Sequence, residues 1–248
     1  MKLTTDALII RENNAVGESD RFVTALTRQS GVVQASVRGA RNIKNRNSAA
    51  TQLLCYSRLS LYKGREKYIV DDSEPLQVFF EVRNQLDKLA LAQYFCELAG
   101  ILAPREEEAE PELRLLLNAL HYLAEGTRPL WLIKAVVELR LLTMAGYMPD
   151  VTDCARCDAP FGETAYLLPQ GGGVLCAACG ETRGDAIPVS GGVLAAMRHI
   201  VSCEFGKLFS FSLPDEAYPA LAYACEQYLL CQLQRGFRTL DFFHSLNV

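Results

Sequence analysis

Near Pro75 the apolar residues change their spacing, from short alternating runs to stripes at every third or fourth position, and this limits what the chain can fold into. Upstream, Leu8 to Arg11, Phe22 to Thr27, Val32 to Val37, Leu53 to Tyr62 and Tyr68 to Asp71 read as five short strands. Asn13, Asn14 and Gly17 mark the first turn, Ser30 and Gly31 the second, and Lys63-Gly64-Arg65 the last. The third gap, Gly39 to Ala50, holds Arg41, Lys44 and Arg46 among small polar residues and reads as an exposed basic loop. Five short strands in about 70 residues fit a small closed barrel, for which the OB-fold is the common five-stranded solution.

Downstream the period is helical. Stripes run from Leu76 to Leu102, Pro111 to Ala124, Pro129 to Met144, Val193 to Phe205 and Pro214 to Arg235. The reading is an α+β multidomain chain, with an N-terminal five-stranded OB-fold barrel over residues 1–75 and a helical domain over 76–248. Glu106, Glu107, Glu108, Glu110 and Glu112 form a dense acidic connector, read as a solvated loop rather than a metal site. Met1 to Asp6 lacks the apolar core of a signal peptide, and no run approaches the roughly 20 apolar residues of a membrane span. A cytoplasmic, nucleoid-associated protein is expected.

Charge is divided as sharply as period. From Arg21 to Arg65 there are nine Lys or Arg residues and no Asp or Glu, although the formal net charge of the chain is -4. The other 16 basic residues face all 29 acids, so the segment stands at +9 and the remainder at -13. Such a split is the footprint of a polyanion site on an otherwise repelling body, with an ordinary solvated face as the plain alternative. The acidic remainder would confine a nucleic acid to the barrel and leave grooves between helices for protein partners.

The most specific local motif is Cys154-x2-Cys157 followed, after 18 residues, by Cys176-x2-Cys179. Two residues between thiolates let one tight turn present both sulfurs to one ion, and two such knuckles complete a tetrahedral four-thiolate Zn²⁺ site. Gly162 and Gly171 to Gly173 suit a hairpin-like return between the pairs, giving a zinc finger over about residues 150–184. A closed shell leaves no position for an activated water, so the ion's role would be structural. A redox dithiol, or a knuckle that has drifted and holds no ion, is the competing reading. Cys55, Cys96, Cys203, Cys225 and Cys231 sit in apolar stretches as small hydrophobes.

Enzyme signatures are missing from the sequence. None of His121, His199 and His244 opens the His-x-Glu of a zinc deaminase. Gly206-Lys207 is followed by Leu208 and lacks the preceding glycine of a phosphate loop. Pro188 stands where a nucleophile elbow at Ser190 needs glycine. The chain reads as a binding protein rather than an enzyme.

Glu18-Ser19-Asp20-x-Phe22-Val23-Thr24-x-Leu26-Thr27, then Gly31 and Val37-Arg38-Gly39-Ala40-Arg41, resembles the opening of the RecO family of bacterial recombination mediators and DNA repair proteins. Leu139-Arg140-Leu141-Leu142-x-x-Ala145-Gly146-Tyr147-x-Pro149, leading into the first cysteine pair, is similar to the helix and zinc-finger portion of that family, as is Gly172-Gly173-x-x-Cys176-x2-Cys179. One departure is Asp158, where many zinc knuckles carry glycine. The resemblance implies an OB-fold followed by a helical domain with a zinc finger. It also implies a protein of DNA recombination and the RecF repair pathway that binds single- and double-stranded DNA and anneals complementary strands without ATP. Such a protein acts with RecR to load RecA on DNA coated by single-strand-binding protein.

Beside that resemblance, an OB barrel tracks phosphates with basic loops and stacks bases on aromatics. Arg38, Arg41, Lys44, Arg46, Lys63 and Arg65 are the expected DNA contacts, because they lie on the two loops leaving adjacent strands. Arg28 and Arg58 are secondary. Tyr62 and Tyr68 flank the second basic loop and are available for base stacking or for the core, while Phe22 is assigned to the core. An RNA-binding barrel with a zinc knuckle is the alternative, separable by the 2′-hydroxyl.

Overall fold

The computed structural model describes residues 2–14, 20–40, 45–64 and 67–246, apart from the side chains of residues 14 and 46. Its N-terminal strands are β1 (Lys2–Asn14), β2 (Arg21–Thr27), β3 (Gly31–Val37), β4 (Cys55–Lys63) and β5 (Tyr68–Val78). They close into a barrel in the order β1-β2-β3-β5-β4, with β1 returning to pair antiparallel with β4 and β3 running parallel to β5. This is the OB-fold. Ala7, Ile9, Val23, Ala25, Val33, Ala35, Leu59, Leu61 and Val70 fill the interior, and the several alanines among them suit so narrow a barrel.

Strand β5 runs beyond the expected Asp71 and carries Pro75 within it, so the boundary expected between residues 75 and 76 falls inside a strand. The ladder tolerates this proline because the register of β4 and β5 shifts between Tyr56 and Ser57, where Ser57 meets Pro75. The basic loop expected from Gly39 to Ala50 also needs correction. Its second half is a short helix, α1 (Arg46–Ala50), capped by the Asn45 side chain accepting from the Asn47 amide at 2.9 Å. Ala40, Ala50 and Thr51 are fully buried, and the Ser73 hydroxyl meets Asn47 Oδ1 at 2.9 Å, holding this helix against β5.

Helices α2 (Phe80–Arg83), α3 (Leu86–Leu102) and α4 (Glu110–Glu125) follow, and α3 and α4 pack on β1 and β2. The segment joining α3 to α4 is stitched to the β2–β3 turn. Val32 donates to the Pro104 carbonyl and Ala109 to that of Arg28, each at 2.9 Å. Gly31 makes the contact feasible: its φ is +59°, and a Cβ there would lie 2.0 Å from the Pro104 oxygen. The acidic connector is thus docked rather than solvated throughout, and Glu112 is buried in the first turn of α4, where burial raises its carboxyl pKa.

Beyond these come α5 (Leu130–Met144), β6 (Asp150–Cys154), β7 (Thr164–Leu168), β8 (Gly173–Cys176), α6 (Ala177–Gly180), β9 (Ile187–Ser190), α7 (Gly191–Ser202), α8 (Ala217–Leu233) and α9 (Arg238–Ser245). Strands β6 to β9 form a sheet in the order β6-β8-β7-β9. By contacts the chain divides into two compact units, Met1–Glu125 with Thr239–Val248, and Gly126–Arg238. In the first unit α9 returns to α3, where the Thr239 hydroxyl donates to Glu97 at 2.6 Å. In the second, α5 packs along α8, and its interior holds an ionic group: Lys134 Nζ lies 2.8 Å from Glu138 and 2.6 Å from Glu226. Arg140 donates to the carbonyls of Ile200 and Val201 at 3.0 and 2.9 Å, closing the C-terminus of α7.

Candidate nucleic-acid interface and metal centre

Two of the six expected DNA-contact side chains are described. Arg38 follows β3 in a turn made by Gly39, whose φ is +62° and whose amide donates to Asp20 at 2.9 Å. The Arg38 side chain is exposed, and no carboxylate of a described residue forms an ion pair with it. Lys63 ends β4, with its ammonium 6.0 Å from the Tyr68 ring and 3.7 Å from Glu106. Both partners of that pair are more than half exposed, so solvent screens it. Arg41, Lys44 and Arg65 lie outside the described residues, as does the side chain of Arg46, whose backbone opens α1.

The acid-free segment is less free in space than in sequence. Arg21 pairs with Glu12 at 3.5 Å, Arg58 with Asp6 at 2.9 Å, and Arg28 with Glu110 at 2.5 Å and with Asp6 at 3.9 Å. Arg28 and Arg58 share with Thr4, Thr5, Asp6 and Gln29 a small polar cavity of about 140 Å³ whose positive charge is already countered. The hydrogen bond and charge of Asp6 raise the Arg58 pKa. Carboxylates from β1, the α3–α4 connector and the start of α4 therefore counter Arg21, Arg28, Arg58 and Lys63, and among the described cations of the segment Arg38 stands apart from that network.

The aromatic residues divide by strand parity. Tyr62 points outward and is 54% exposed, whereas Tyr68 packs against the barrel core. Phe22, assigned to the core from sequence, is half-buried outside the core cluster, with Lys67 Nζ 4.6 Å from its ring centroid. It alternates with Val23, which is the residue facing the interior. Lys67 escaped the sequence reading because Glu66 ends the acid-free run just before it.

The four motif cysteines converge. Their sulfurs all lie within 4.8 Å of one another, with Cys157 3.8 Å from Cys176 and 3.7 Å from Cys179. Four sulfurs at about 2.3 Å from a tetrahedral ion would be separated by roughly 3.8 Å, so this set could hold one metal ion. Cys154 and Cys157 sit at the end of β6 and in its knuckle, and the β7–β8 hairpin, paired as Tyr166 with Leu175, returns Cys176 to them. Asp158 takes φ +55° and donates its amide to the Cys154 carbonyl at 2.9 Å. That is the left-handed conformation for which glycine is preferred, and aspartate is among the few side chains that tolerate it. Burial opposes ionisation of Cys154, but backbone amides of Cys176, Arg156 and Cys157 prevail and lower its pKa to about 6. In the metal-free cluster Cys157 and Cys176 hold the Cys179 thiol up at about 12, so an incoming ion must displace protons.

Residues 1–79 match the family model described as Recombination protein O N terminal, and residues 83–241 match that described as Recombination protein O C terminal. The chain belongs to the RecO family. A protein named DNA repair protein RecO from Acetivibrio thermocellus is 32% identical over 245 residues, covering 99% of this chain and 97% of that protein. One of the same name from Dehalococcoides mccartyi is 32% identical over 246 residues, covering 98% and 96%. Another from Desulfitobacterium hafniense is 34% identical over 233 residues, covering 90% and 84%. The RecO family is one of DNA repair and recombination. No helix among the described residues is long and apolar enough to cross a membrane.

Proposed function

We propose that this protein is a cytoplasmic, nucleoid-associated recombination mediator of the RecF pathway. It binds single- and double-stranded DNA on the barrel through Arg38 and Lys63, which end the oppositely directed strands β3 and β4, with Arg41, Lys44, Arg46 and Arg65 completing the basic set. It anneals complementary strands without ATP, and acts with RecR to load RecA on DNA coated by single-strand-binding protein. It works by binding rather than by catalysis. The observation that carries the reading is the full-length match to RecO proteins together with an exposed cation, Arg38, on an OB barrel whose other described cations from Arg21 to Arg65 are countered by carboxylates.

The physical step is charge neutralisation. Cations bound to phosphates release counterions and lower the repulsion between two strands, after which base pairing proceeds downhill. No nucleotide is needed for that. The four cysteines would hold a structural Zn²⁺ and so tie β6 to the β7–β8 hairpin. The division of the chain into a DNA-binding barrel, which ends with β5 at Val78 rather than at residue 75, and a partner-binding helical part after it belongs to the same proposal.

The test is annealing of complementary labelled oligonucleotides without ATP, by the wild type and by a variant with Arg38, Arg41, Lys44 and Arg46 changed to Ala. The wild type should anneal and the variant should lose most of that activity. Equal annealing by both would remove the site assignment, and no annealing by the wild type would remove the function.

A further inference from the structure

Alternate side chains of a strand face opposite sides, so the residues known to lie inside the barrel fix which neighbours point out. Val23, Ala35, Leu61 and Val70 belong to the barrel core, which turns Phe22, Ser36, Tyr62 and Ile69 outward. The strand pairing brings these four side by side. Phe22 lies opposite Ser36 across β2 and β3, Ser36 opposite Ile69 across β3 and β5, and Ile69 opposite Tyr62 across β5 and β4. At about 4.8 Å between strands they make a strip roughly 14 Å long around the barrel. An aromatic ring stands at each end, with a hydroxyl and a branched apolar side chain between.

One ring of the strip is associated with a cation, since Lys67 lies over Phe22 at 4.6 Å. Lys63, next to Tyr62 on β4, is turned to the other side, where its ammonium lies by Tyr68 and Glu106. Aromatic faces with an ammonium group at one end match a strand that offers flat bases and phosphates at regular intervals. A purely apolar protein segment would not use that ammonium group.

We propose that the strip Phe22–Ser36–Ile69–Tyr62 is a base-stacking platform that selects unpaired strands. It deepens the nucleic-acid reading above and rests on it. Duplex bases are already stacked and paired, so their faces are closed to Phe22 and Tyr62. Unpaired bases are open, and each ring adds affinity for them alone, while Lys67 attracts phosphates of either form. The small Ser36 leaves room between the rings. A platform of this length suits the short end of the roughly 4 to 16 nucleotides an OB-fold covers. Tyr68 takes no part, since its ring is turned to the core.

The experiment measures fluorescence anisotropy with full-length protein and two probes, a labelled thymidine homopolymer and a duplex of equal length. Phe22→Ala and Tyr62→Ala should each bind the single strand about tenfold more weakly and leave duplex binding within about twofold of wild type. Phe22→Leu and Tyr62→Leu keep apolar bulk without a π face and should behave like the alanine variants. Phe22→Tyr and Tyr62→Phe should match wild type. Unchanged single-strand affinity in the alanine and leucine variants, or equal losses on both probes, overturns the platform and leaves the nucleic-acid reading standing. Wild-type protein that binds neither probe removes both.

Discussion

Asp158 and Gly31 each hold a backbone turn on which a larger contact depends. The cysteine spacing was legible in the sequence because a knuckle is local: two intervening residues set the approach of its sulfurs without help from distant chain. The departure at Asp158 was legible for the same reason, and its φ of +55° shows what it costs. Asp158→Gly should retain the metal and raise stability by up to about 1 kcal/mol, whereas Asp158→Val should lose about 1–2 kcal/mol in urea unfolding, since a branched side chain resists this conformation. The contact at Gly31 could not be foreseen, because Pro104 approaches it from 73 positions along the chain. Gly31→Ala should destabilise the protein by about 1–3 kcal/mol in the same measurement, since the added methyl meets backbone that is itself hydrogen-bonded. The facing of Phe22 was misread on composition alone. An aromatic residue in a strand is most often core, and only the interior position of Val23 shows that Phe22 is outside.

Long periodic elements were readable and short or ionic ones were not. Helices α4, α5, α7 and α8 match the stripes that foretold them to within a few residues, because an apolar face repeats over several turns, whereas the stripe from Leu76 to Leu102 covers the end of β5 and α2 as well as α3. Helix α1 has five residues and α9 eight, too few to show a period. The acidic connector was read as solvated because its partners, Arg28 and Lys63, come from the barrel rather than from its own neighbourhood. The ionic group between α5 and α8 was equally hidden, since Lys134 and Glu226 meet only after packing. Burial opposes the charge on Lys134, but Glu138 and Glu226 outweigh it and raise the pKa above 10.5. A folded-state pKa above the unfolded one means stability that is whole below about pH 10.5 and is lost as pH climbs through the raised value. Lys134→Met, which leaves two carboxylates without their shared cation, should cost about 3–5 kcal/mol in urea unfolding at neutral pH. Replacing Glu138 and Glu226 by Leu in the same variant should restore most of that loss.

At the scale of the molecule, the split of +9 against -13 along the chain overstates the free charge of the barrel. Folding brings Glu12, Asp6, Glu106 and Glu110 to Arg21, Arg58, Lys63 and Arg28, so a count of cations in sequence is not a count of cations offered to a ligand. What remains is the field of Arg38, the one described cation of that segment outside these pairs. The salt dependence of single-strand binding reads that field most directly, because its slope counts the phosphates neutralised. For four to six contacts the wild type should give a slope of about -3 to -4 in log affinity against log salt, at roughly -0.7 per phosphate. Changing Arg38, Arg41, Lys44 and Arg46 to Ala should flatten that slope by about 2 to 3, as those contacts disappear. An unchanged slope in the variant would contradict the account, placing the phosphates elsewhere on the protein.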